Sequence, residues 1–143
     1  MTKVAQVLLD KPSQNIYTIH PEATVLEAIT IMAEKDIGVL VVTHEENVVG
    51  ILSERDYTRK IVLMERSSFD TMVSQIMTEK VLTVSKSTPI EDGLKLMTDK
   101  HLRHLPVIED GKLVGLVSIG DLVKAAMKDQ QNLIDQLQQY ISG

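Results

Sequence analysis

Two stretches of this chain carry the same chemical pattern: glycine, two apolar residues, serine and, three residues on, aspartate. They are Gly50-Ile-Leu-Ser53-Glu-Arg55-Asp56 and Gly115-Leu-Val-Ser118-Ile-Gly-Asp121. Ser-x-x-Asp is a helix-start signature in which the hydroxyl caps a backbone N–H and the acid reaches back to a second one. A helix start also presents N–H groups and the positive end of the helix dipole to an anion. A phosphate could therefore rest beside the serine while the aspartate accepts from a ribose diol, and cap and ligand site can coexist. Charge near the first copy favours the ligand. Arg55, Arg59 and Arg66 fall on one side of a predicted helix at spacings of 4 and 7, although such a stripe is also what a solvated face looks like. Arg103-His104 precedes the strand Leu105–Ile108, where the first copy has uncharged Gly38-Val39. Guanidinium and imidazole donors both suit phosphate.

Other chemistry is poorly provided for. His101 and His104, three apart and with Asp99 nearby, lack a well-placed third ligand, so a metal site is not expected. His20 and His44 fall in predicted turns and are read as solvated. The pairs Glu45/Glu46 and Glu109/Asp110 sit in hairpin turns, where acids are ordinary turn formers rather than an acid/base pair. No phosphate-loop, nucleophile-elbow or zinc-protease motif is present. No enzyme is expected. Met32, Met64, Met77 and Met97 lie in apolar periodic segments and are assigned to the core.

The elements that must position these residues are written twice. Residues 18–56 align with 83–121 at a constant shift of 65, with identities at Thr18/Thr83, Met32/Met97, Lys35/Lys100, Val42/Val107, Val49/Val114, Gly50/Gly115, Ser53/Ser118 and Asp56/Asp121. Each copy opens with a β-rich stretch, Ile16–His20 or Val81–Ser85. An apolar helical face follows, Val25, Ala28, Ile29 and Met32, or Ile90, Gly93, Leu94 and Met97. Two apolar runs around a polar turn then predict a hairpin: Val39–Thr43 with Val48–Leu52, and Leu105–Ile108 with Leu113–Val117. A closing helix starts at Ser53 or Ser118, and the first is expected to run through Arg55–Glu65. Each copy reads β-α-β-β-α, an α/β architecture. Upstream, Val73-Ser-Gln-Ile-Met77 resembles Val4-Ala-Gln-Val-Leu8 at a shift of 69.

The chain has 143 residues, 43% of them apolar, enough for a single-domain core. It has no run of apolar residues long enough to span a bilayer and no secretory signal pattern, and its lack of cysteine is compatible with a reducing compartment; a cytoplasmic protein is expected. A net charge of −5 argues against nucleic acid or anionic membrane as partner.

With the duplicated order, the GILSERD and GLVSIGD ends and the strand start HLRHLPV in view, the chain resembles a tandem pair of CBS domains, the module named after cystathionine β-synthase. RDYTRKI, RSS, IMTE and LMTDKHLRHLPV are similar to the stand-alone bacterial CBS-pair proteins and their organellar relatives. The resemblance covers Val4 to about Lys128. It implies two repeats related by a pseudo-twofold axis, a disk-like homodimer, and control of an unidentified regulated protein through an adenine nucleotide: AMP first, with ADP, ATP, NAD or S-adenosylmethionine as alternatives, and no metal. Carried over by motif, site A would hold Ser53, Arg55, Asp56, Val81, Leu82, Arg103 and His104. A weaker site B, lacking basic residues, would hold Ile16, Tyr17, Gly38, Val39, Ser118 and Asp121. A structural or interaction module of the same fold with no ligand is the alternative. Residues 1–66 are read as the first repeat with an N-terminal segment, 67–129 as the second, and 130–143 as a helical tail. Leu133, Leu137 and Ile141 form an apolar stripe on that tail, which calls for a partner surface.

Overall fold

The computed structural model describes residues 1–12 and 15–142. The chain forms two compact units. The first-copy unit comprises Asn15–Leu82 with Asp110–Leu113; the second-copy unit comprises Met1–Gln14, Thr83–Glu109 and Val114–Gly143.

In the first-copy unit, strand β1 (Thr18–Ile19) leads into helix α2 (Val25–Lys35), hairpin strands β2 (Val39–His44) and β3 (Asn47–Ser53), and helix α3 (Glu54–Tyr57). β1 pairs parallel with β2 and β2 antiparallel with β3, placing Leu40 opposite Leu52 and Val42 opposite Gly50. α2 is capped by Thr24, whose side chain accepts from the Glu27 N–H, and ends at Asp36 in the left-handed region. The second-copy unit begins with helix α1 (Val4–Asp10) and contains α4 (Ile90–Lys100), the hairpin β4 (His104–Glu109) and β5 (Lys112–Ser118) apart from its tip Asp110–Leu113, and the long α5 (Ile119–Ser142). The hairpin turns use positive φ at both central residues, Glu45 and Glu46 in one and Asp110 and Gly111 in the other. That geometry matches strand twist, and Asp-Gly adopts it more cheaply than Glu-Glu.

The duplication extends to the cores. Ile19, Val25, Met32, Leu40, Val42 and Leu52 are buried in one, and Val84, Ile90, Met97, Leu105, Val107 and Val117 in the other, each 65 positions on. The upstream segments complete these cores reciprocally. Val73 and Ile76, which precede the second copy, are buried in the first-copy core, and Val4 and Val7, which precede the first copy, in the second-copy core. Equivalent backbone bonds fix them: the Val25 N–H donates to the Thr71 carbonyl at 2.8 Å and the Ile90 N–H to the Thr2 carbonyl at 3.1 Å. Repeat boundaries and packing boundaries are thus different. The matching glycines of the two motifs, Gly50 and Gly115, follow from this crossing. A Cβ on Gly50 would stand 2.5 Å from Met77 Sδ, and one on Gly115 2.6 Å from Leu8 Cδ2.

Four expectations are corrected. The Val81–Ser85 stretch is not a strand, contributing only a bridge between Val84 and Val107, and β1 is two residues long. The first closing helix does not run to Glu65: after Tyr57 it widens into a π-helical turn, Thr58–Val62, with the Leu63 N–H donating to the Thr58 carbonyl and the Arg66 N–H to the Ile61 carbonyl. Widening carries Ile61 into the core and leaves Met64 67% exposed, so Met64 is not a core residue. His20 and His44 are exposed as expected, but His44 ends strand β2 instead of lying in a turn, and its Nδ1 lies 3.2 Å from Nε2 of His20, whose Nδ1 accepts from the Glu22 N–H. Among the described residues no helix is long and apolar enough to cross a membrane.

Candidate functional site

Each Ser-x-x-Asp motif forms a complete capping box. In the first-copy unit the Asp56 N–H donates to Ser53 Oγ at 3.1 Å, and Asp56 Oδ2 accepts from the Ser53 N–H at 3.0 Å and from its hydroxyl at 3.1 Å. In the second, the Asp121 N–H donates to Ser118 Oγ at 3.0 Å and Asp121 Oδ2 accepts from the Ser118 N–H at 2.9 Å. The residue after each serine is also tied down. The Glu54 N–H donates to the Gly38 carbonyl at 3.0 Å and the Ile119 N–H to the Arg103 carbonyl at 2.8 Å. Two of the first three N–H groups of each closing helix are therefore engaged by the protein itself. The sequence expectation of an open N-terminal turn narrows to the N–H of Arg55 or Gly120, aided by side chains.

The same bonds show which predicted residues come together. Within the first-copy unit the strand start Gly38-Val39 abuts Ser53-Glu54, with Gly38 so close to Glu54 that a Cβ would stand 2.9 Å from its carboxylate oxygen. Within the second-copy unit Arg103-His104 abuts the Ser118–Asp121 start. Arg103 is exposed and His104 half-buried. Tyr17 and Ile16 are partly buried, with Lys35 Nζ 5.5 Å from the centre of the Tyr17 ring; Val81 is partly buried and Leu82 exposed. Arg55, Arg59 and Arg66 are all exposed, but they do not form one helical stripe. The π turn changes the angular spacing after Tyr57, and Arg66 follows Glu65, whose φ of 54° ends the helix.

Two residues unremarked in the sequence complete the polar geometry. Lys60 Nζ lies 3.2 Å from Asp56 Oδ1 and donates to the Ile76 carbonyl at 2.8 Å. Lys11 Nζ donates to Asp121 Oδ2 at 3.0 Å and to the Leu116 carbonyl at 2.8 Å. Each closing aspartate is thus held by an ammonium group that also pins a neighbouring backbone carbonyl. The i,i+4 spacing of Asp56 and Lys60 is a legible signal; that of Lys11 and Asp121, across 110 positions, is not. Burial works to raise the Asp121 carboxyl, but bonds from the Ser118 backbone and from Lys11 outweigh it and hold the group below its ordinary range. His104 is lowered chiefly by burial; Asp121 opposes that shift while Lys11 and Arg103 add to it. No group of three or more metal-ligating side chains occurs among the described residues.

The sequence profile of the CBS domain matches residues 4–63 and 73–128, both copies. The chain belongs to the CBS domain family. It is 42% identical over 125 residues to the mitochondrial CBS domain-containing protein CBSX3 of Arabidopsis thaliana, covering 84% of this chain and 61% of that protein's length. A solved protein with CBS domains from Burkholderia ambifaria MC40-6 superposes with a TM-score of 0.85 at 50% identity, covering 90% of this chain and 96% of that one. The CBS domain pair of protein MJ0100, solved in complex with 5′-methylthioadenosine and S-adenosyl-L-methionine, shares the fold at a TM-score of 0.77 and 23% identity, with 90% and 98% coverage. The upstream segments that complete the cores fall within the CBS matches: 4–10 opens the first and 73–77 the second.

Proposed function

We propose that this protein is a non-enzymatic regulatory CBS pair of the cytoplasm that binds an adenosine-containing ligand and thereby controls a partner protein. The observation that carries this reading is the capping box built twice, each aspartate fixed beside a strand start, one of which bears Arg103 and His104. A carboxylate offers about four acceptor positions. The serine and lysine bonds leave room on each aspartate for a ribose hydroxyl, while an exposed guanidinium supplies a forked phosphate contact. The adenosine ligands of the MJ0100 CBS pair support the ligand class. AMP is the first candidate, then ADP, ATP or NAD. The proposed contacts are Ser53, Arg55, Asp56, Val81 and Leu82 with Ile16, Tyr17, Gly38 and Val39 in the first-copy unit, and Arg103, His104, Ser118 and Asp121 in the second-copy unit. A homodimer is proposed as well, because Val62, Leu63, Met64 and Phe69 leave a run of large apolar side chains in water.

Isothermal titration with AMP, ADP, ATP, NAD and S-adenosylmethionine tests the reading, and the absence of binding below millimolar concentration by folded protein overturns it. One observation favours a second reading, a ligand-free interaction module: Lys60 and Lys11 already pair with the two aspartates, so a ribose hydroxyl has to share them. Thermal shift separates the two, since a ligand selective for the native state must raise its stability with concentration.

A further inference from the structure

We infer that the C-terminal half of α5 is a coiled-coil strand that pairs, parallel and in register, with the same helix of a second copy of this chain. The helix repeats its apolar residues every seven positions. Ala126-Met127, Leu133-Ile134 and Tyr140-Ile141 are one series, and Val123 and Leu137, with the polar Gln130 midway between them, another. In heptad terms these are the d-e and a positions. A strict seven-residue period drifts around a lone straight helix but stays in line when two helices supercoil.

The first part of this seam runs beside the residues that anchor the helix to the second-copy unit, with Val123 and Met127 on the seam itself 41% and 65% exposed. Leu122 is fully buried, and Ala125 and Ala126 pack against its core. Beyond Gln130 the same face continues with nothing over it: every residue from 131 to 142 is exposed, Leu133 by 56%, Leu137 by 52% and Ile141 by 82%. A helical run of this length is marginal in water without a packed face.

Charge identifies the occupant as a second copy. From Gln130 to Ser142 the one charged residue is Asp135, at the f position pointing away from the seam, where Gln131 donates to it. The flanks of the seam are Ile134, Gln136 and Ile141, so no charge is offered for a different partner to complement, and identical copies meet without repulsion. Gln130 sets the direction. A polar side chain at one a position is tolerated when it meets its own counterpart, and in a parallel, in-register pair the two Gln130 amides can hydrogen-bond to each other. An antiparallel pair would set each against apolar d residues.

The absence of cysteine makes the test direct. Full-length Leu133→Cys, Leu137→Cys and Asp135→Cys variants are oxidised mildly and run on non-reducing gels. A parallel pair brings each seam residue onto itself, so the variants at 133 and 137 should both form disulfide-linked dimers on the order of tenfold or more faster than the variant at 135, by effective concentration. Cross-linking at one seam position alone means an antiparallel pair and overturns the register. Cross-linking at neither above the Asp135→Cys rate overturns the pairing, leaving the chain's own body or another protein as what covers the stripe. Light scattering of Leu133→Asp/Leu137→Asp, two exposed positions whose change spares the core, should show loss of tail-dependent association; unchanged mass and concentration dependence would overturn it too.

Discussion

Replacing Lys11 by methionine keeps the aliphatic stem and removes one ammonium group that serves two acceptors, the Asp121 carboxylate at 3.0 Å and the Leu116 carbonyl at 2.8 Å. A hydrogen bond to a charged group contributes roughly 1.5–3 kcal/mol when well shielded. Here the two side chains are about a quarter exposed, 27% and 25%, so solvent screening lowers the sum to about 1–2 kcal/mol. For a chain of this length that corresponds to a fall in Tm of roughly 3–8 °C. A second signature separates this contact from generic damage. Lys11 lowers the pKa of both His104 and Asp121, so its loss must move both upward. His104 in the folded protein lies below its unfolded value near 6.5, and its neutral form therefore stabilises above that value and costs stability as pH falls through 6.5. In Lys11→Met that acid loss should be shallower. The assay is urea unfolding at pH 7.5 and 5.5 together with proton NMR titration of the His104 ring, assigned with His104→Gln. Lys60→Met is the control: it breaks the equivalent bonds to Asp56 and the Ile76 carbonyl, should destabilise comparably, and should leave the His104 titration alone. An unmoved His104 titration and an unmoved midpoint in Lys11→Met would refute the reasoning.

Further outcomes follow from the same geometry. Gly50→Ala should destabilise by about 1–3 kcal/mol because the new methyl meets Met77 Sδ at 2.5 Å and the Thr78 carbonyl oxygen at 3.2 Å; Met77→Ala should relieve part of that loss, and strict additivity in a chemical-denaturation double-mutant cycle would contradict the contact. Ser53→Ala should cost about 1 kcal/mol through the lost cap, read as a lower urea midpoint at unchanged slope. Arg103→Ala should weaken a phosphorylated adenosine ligand about tenfold or more in calorimetry while sparing adenosine itself, and equal losses would assign Arg103 to the fold. Asp56→Asn should weaken both ligands, because the ribose contact is common to them.

Much of this protein was legible in the chain because the relevant forces are local. The helices over Val25–Lys35 and Ile90–Lys100, both hairpins and the two capping boxes follow from apolar period, turn chemistry and a hydroxyl three residues before an acid. The shift of 65 also foretold which residues would occupy equivalent core positions. What it did not foretell depends on bonds between distant segments. That Val73 and Ile76 fill the first-copy core while Val4 and Val7 fill the second is set by which hydrophobic gap each segment closes, and two similar segments carry no local mark of their destination. The widening of the helix after Tyr57, which broke the arginine stripe and exposed Met64, brings Ile61 to a core already defined by Leu52, Val73 and Ile76. Lys11 reached Asp121 for the same reason: α1 packs against the second copy, and only that packing brings an ammonium group near a carboxylate that the sequence places 110 residues away.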